Sequence, residues 1–81
     1  MSKLTSLQAQ LILLWLQTAY QEKRTFKLIE ITKECRTTHA TLYKWIREFK
    51  YWAVCELDYQ NNTARRRDGI YSVKYIDLSK L

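Results

Sequence analysis

The apolar residues of this 81-residue chain change their spacing once, at Trp52. Before it they recur every three or four positions; after it they alternate with polar residues. The first spacing lines one face of a helix and the second lines one face of a strand. Helices followed by strands are therefore expected, and a chain of this length has room for one domain, 1–81.

The clearest helical stripe comes last. Leu42, Trp45, Ile46, Phe49 and Trp52 fall within about 120° of one another on a helix. Ala40, Lys44, Arg47 and Tyr51 fall on the reverse, with Tyr43 and Lys50 on a flank. Thr37 or Thr38 can cap this helix. A shorter helix precedes it, marked by Leu28, Ile31 and Cys35, and Phe26 is a candidate for a short strand. The first helix is expected to start at Thr5, where Gln8 three residues later completes a capping-box pattern. It is apolar on two sides: Leu4, Leu7, Leu11, Leu14 and Thr18 on one, and Ile12, Leu13, Leu16, Ala19 and Tyr20 on the other. A helix apolar on two sides needs cover on both. A homodimer through Ile12, Leu13, Leu16 and Tyr20 is the expected cover, with a C-terminal strand or tail as the alternative.

After Trp52, Cys55, Leu57 and Tyr59 alternate with polar residues, as do Tyr71, Val73 and Tyr75. Asn61–Gly69 between them is rich in turn formers, so an antiparallel hairpin is expected, with Asp68-Gly69 as turn chemistry. This loop exceeds the usual two to five residues and carries Arg65, Arg66 and Arg67.

Charge points to a partner. Fourteen Lys and Arg against eight Asp and Glu leave +6, and four basic residues face one acidic residue between Arg36 and Trp52. Two basic clusters are the expected footprint of a polyanion. Other chemistry is sparse. One His, one Gly and no Pro disfavour a catalytic domain. Glu30 and Glu34 read as a solvated helix face. His39 with Cys35 and Cys55 supplies at most three zinc ligands without a Cys-x-x-Cys pair, so no metal or other cofactor is expected. Both thiols lie at apolar positions and are expected to be reduced small hydrophobes in a cytoplasmic protein. The longest apolar run, Leu11–Leu16, has six residues, far below the roughly 18 of a membrane span. Trp45 and Trp52 are expected in the core, and Trp15 in the core or a subunit contact, which disfavours a single-strand stacking role.

Three helices and a hairpin, in this order, resemble the winged helix-turn-helix superfamily. The resemblance is specific over Ile31–Val54. Ile31-Thr32-Lys33-Glu34-Cys35-Arg36-Thr37-Thr38-His39-Ala40-Thr41-Leu42 matches the helix–turn–helix pattern without gaps. Ile46 and Phe49 occupy the next apolar positions, and Ala53-Val54 resembles the small-apolar pair leading into the wing. One departure is Arg36, where the family often has Gly; it requires Arg36 or a neighbour in a less favoured backbone state, or a slightly different turn. The resemblance implies an α+β fold with a C-terminal two-stranded wing, the third helix in the major groove of double-stranded DNA, and a regulator role. Thr37 and Thr38 would then meet phosphate. His39, Ala40, Tyr43, Lys44 and Arg47 would face bases, and Arg65, Arg66 and Arg67 would meet phosphates or the minor groove. Lys27 and Lys50 are weaker phosphate candidates. Two alternatives stay open: a DNA-binding domain of a replication initiator or plasmid or phage accessory protein, and a winged helix that binds proteins.

Overall fold

A computed structural model describes residues 6–60 and 69–80. Three helices, α1 (Leu7–Gln21), α2 (Leu28–Glu34) and α3 (His39–Tyr51), precede strands β1 (Cys55–Tyr59) and β2 (Tyr71–Ile76). The strands pair antiparallel, giving a mixed α+β fold. A single turn of 3-10 helix, Leu78–Lys80, follows, begun by Asp77 accepting from the Ser79 N–H and hydroxyl. Phe26 forms a one-residue bridge to Tyr71, its N–H and carbonyl both paired at 2.9 and 2.8 Å.

All three helices end in the same way. The residue after each C-cap (Lys23, Arg36 and Ala53) has a positive φ of 54°, 53° and 57°. The next N–H reaches back across the last turn, from Arg24 to the Ala19 carbonyl, Thr37 to Thr32 and Val54 to Phe49. This is the Schellman closure, which usually employs Gly. Of the alternatives open for the departure at Arg36, the structure takes the first: Arg36 itself holds the less favoured, left-handed backbone. Gly69, the chain's only glycine, is not left-handed. Its bare Cα lies under the Tyr59 ring, which a Cβ would overlap, while Asp68, its partner in the expected turn, lies outside the described residues.

The core lies where α1, α3 and the sheet meet. Ile12, Leu13 and Leu16 of α1 and Leu42, Trp45 and Phe49 of α3 enclose it with Phe26, Leu28, Ile31, Val54 and Cys55. This corrects the expected dimer surface: Ile12, Leu13 and Leu16 are buried inside their own chain, and only Tyr20 of the four is exposed. Periodicity finds apolar faces but not which of them the sheet covers. β2 packs on α1, so the internal alternative for that face holds. The uncovered face is the other one, with Leu7, Leu11 and Leu14 at 72%, 46% and 55% exposure.

Three further expectations change. The first helix starts after Ser6, which makes no side-chain cap bond, and Gln8 is drawn into tertiary bonds instead; Thr5 lies outside the described residues. Trp52 is not core: it is the C-cap of α3, 47% exposed, beyond the point where the helix can hold it inward. In the sheet, Leu57 pairs with Val73 but Glu56 with Tyr75, so β2 bulges by one residue at Lys74. The bulge shifts the inward position from Tyr75 to Ile76, which sits opposite Cys55 and packs on the core.

Candidate nucleic-acid interface

The amphipathic stripe of α3 sets the geometry of this face. With Leu42, Trp45 and Phe49 buried, the opposite side must face solvent, and Ala40, Lys44 and Arg47 are all exposed there. Tyr51, one turn beyond Arg47, extends the same ridge at 76% exposure. It contacts the Trp52 ring edge-on, with centroids 5.1 Å apart. Sequence reading placed Tyr51 on this side without making it a contact residue. Its four-residue step from Arg47 was the available signal.

The N-terminus of α3 is held by two threonines with different tasks. Thr38 Oγ1 accepts the Thr41 N–H at 3.2 Å and donates to Thr41 Oγ1 at 3.1 Å, so its hydroxyl is committed to the cap. Thr37 Oγ1 accepts from Gln8 Nε2 at 3.1 Å, which leaves its own proton for an acceptor outside. Gln8 Oε1 in turn accepts Trp45 Nε1 at 3.3 Å. One α1 side chain therefore fixes both the turn and the inward face of α3.

Neighbouring glutamates have structural tasks as well. Glu30 accepts the Lys27 N–H at 2.8 Å and closes the start of α2. A lysine side chain accepts no hydrogen bond, so this cap rests on Glu30 and on the Lys27 carbonyl, which the Glu30 N–H meets at 3.0 Å. Glu34 accepts Trp15 Nε1 at 2.9 Å, with the Trp15 ring edge-on to Phe26 and under the Arg24 guanidinium. Trp15 is thereby a half-buried tie between α1 and α2.

The candidate base-facing residues separate into two groups. Arg47 stands free of ion pairs among the described residues. The Lys44 ammonium lies over the Trp45 ring, 5.2 Å from its centroid, a contact worth about 0.5–1 kcal/mol that a base would have to replace. His39 and Tyr43 instead fold inward. Their rings lie 6.2 Å apart, both are half-buried, and His39 Nε2 and the Tyr43 hydroxyl oxygen are enclosed. His39 therefore covers the start of α3 and does not present Nε2 outward.

Between α3 and the sheet runs an open groove of about 520 Å³. Tyr43, Ile46, Arg47 and Lys50 form one wall, and Glu56, Leu57, Tyr59 and Tyr71 form the other. Lys50 Nζ approaches Glu56 Oε2 at 3.9 Å across it. Both groups see solvent, so the pair contributes at most about 1 kcal/mol and Lys50 can exchange partners at little cost. Lys27 is exposed at the start of α2. Arg65, Arg66 and Arg67 lie outside the described residues.

No group of three or more His, Cys, Asp or Glu is arranged for a metal among the described residues. Burial raises the Cys35 thiol above its ordinary pKa, helped by the Glu34 charge, and pushes Cys55 up to about 12, helped by Glu56. Both thiols are free and protonated at neutral pH. No helix among the described residues is long and apolar enough to cross a membrane. No protein-family model, curated protein or solved structure matches the chain.

Proposed function

We propose that this chain is a winged helix-turn-helix protein that binds double-stranded DNA, with α3 in the major groove and the β1–β2 loop on phosphates or in the minor groove. Its role on this reading is that of a small, non-catalytic, dimeric transcriptional regulator in the cytoplasm. One observation carries it: the uncharged side of α3 is buried while Ala40, Lys44, Arg47 and Tyr51 form an exposed ridge. A helix is about 10–12 Å across and the major groove about 12 Å wide, so such a ridge can enter it. Arg47 can donate twice to guanine O6 and N7, and Ala40 can meet a thymine methyl. Thr37 and the first amides of α3 suit a phosphate, and the arginine run Arg65–Arg67 supplies further cations.

A salt titration on duplex DNA tests the reading. About five to seven phosphate contacts give a slope of log K against log[salt] near −4 to −6. Replacing Arg65, Arg66 and Arg67 together with Ala flattens the slope by up to about 3 and leaves sequence preference intact. Weak, salt-independent binding to every duplex overturns it. The exposed Tyr51–Trp52 pair favours the second reading, a winged helix that binds proteins, and that flat response would select it. Selection of bound sequences from a random pool separates a regulator from a replication-origin binder by where the preferred site lies.

A further inference from the structure

We infer that α1 pairs with α1 of a second copy of this chain along Leu7, Leu11, Leu14 and Thr18. These residues are spaced four, three and four apart and all are exposed. That is the seam spacing of two helices packed along their length at about 20°. The seam lies on the far side of α1 from Ala9, Leu13 and Leu16, which enter the core, and its four residues stay exposed beside β2 and α3. Leu4 continues the same spacing in the sequence.

Charge selects a second copy as the occupant. Two chains of +6 repel over most of their surfaces, yet α1 carries no charged residue along its whole length. Gln10 and Gln17 take two of the places where charges usually stand beside such a seam. Along one edge the stripe borders a shallow groove formed by Leu11, Leu14, Trp15 and Thr18 against Glu34, Cys35 and Arg36. Its rim carries one acid and one base, so identical copies can meet there with opposite charges. A two-fold pairing uses the same patch on both chains and closes at two. The inference stands on α1 alone and does not depend on the DNA reading.

Sedimentation equilibrium of the full chain without DNA, up to about 200 µM, reads the outcome. The expected mass rises from 9.8 kDa to twice that value and stops. Leu11→Gln with Leu14→Gln weakens self-association by about tenfold or more, while Tyr51→Ser on α3 leaves it unchanged. Both leucines are exposed, so the double variant should fold, with circular dichroism and the unfolding midpoint as checks. If it does not fold, Leu7→Lys, at the most exposed position of the seam, serves the same purpose. A chain that stays at 9.8 kDa throughout, a mass that climbs past two copies, or folded leucine variants that associate like the parent each overturn the inference. None of these results bears on duplex binding.

Discussion

Gln8 of α1 binds Trp45 of α3 across the core boundary: Trp45 Nε1 donates to Gln8 Oε1 at 3.3 Å, while Gln8 Nε2 donates to Thr37 Oγ1 at 3.1 Å. The exposed ridge of α3 is thereby oriented by a residue 37 positions from Trp45. Gln8→Ala should cost about 1–3 kcal/mol, chiefly by leaving the buried indole N–H unpaired. For a domain of this size each kcal/mol lowers the melting temperature by about 4–8 °C. Gln8→Glu keeps an acceptor for Trp45 and can accept from the Thr37 hydroxyl, so it should cost less. Equal losses for the two variants would show that the indole bond is not the cause.

The left-handed residues after the helices give a prediction of opposite sign. A side chain at positive φ costs about 1–2 kcal/mol, and glycine recovers part of this against the greater freedom of its unfolded chain. Ala53→Gly and Arg36→Gly should each stabilise the protein by about 0.5–1 kcal/mol, seen as a higher urea midpoint at unchanged slope. Ala53 is the cleaner case because no charge is lost. A lower midpoint for Ala53→Gly would mean that its methyl group contributes more than the backbone strain costs.

Cys55 makes stability fall in alkali. Its folded pKa of about 12 lies above the ordinary 9.0, so the folded state holds the proton longer than the unfolded one. Its contribution is complete below pH 9 and is lost as pH rises from there towards 12. Between pH 8 and 10 the loss is about 1.4 kcal/mol. Cys55→Ala should remove that part of the pH dependence, whatever its own cost at pH 8. In native protein at pH 8 a thiol reagent should reach half-buried Cys35 first and Cys55 only on unfolding.

On DNA, Arg47 and Tyr51 should behave differently although they share a ridge. Arg47→Ala should cost about 1–3 kcal/mol on the preferred duplex and relax preference at one base pair. Tyr51→Ala should weaken preferred and mixed-sequence duplexes alike, because an aromatic ring at the helix end meets sugar and phosphate rather than a base edge. Competition binding with single-base variants distinguishes the two patterns. Loss of selectivity on removing Tyr51 would move the reading end of α3 towards its C-terminus.

Much of the candidate face was legible in advance. The α3 stripe identified Leu42, Trp45 and Phe49 as buried and so left Ala40, Lys44 and Arg47 exposed, because a 3.6-residue period cannot place both sets inside. His39 and Tyr43 were harder. They lie on the flank of that stripe, where a small rotation decides between groove and core, and the rings turned inward against each other.

Local spacing alone therefore determined the order of helices and strands and which side of α3 bears the cations. These depend on neighbours within one turn of helix or one step of strand. Tertiary packing decided the rest. It chose the Ile12–Leu16 side of α1 for burial against the sheet, brought Ile76 rather than Tyr75 inward through the bulge at Lys74, and recruited Gln8 to hold Trp45. Each of those outcomes turns on what a distant segment covers, and burial is a property of the assembled surfaces rather than of the spacing along the chain.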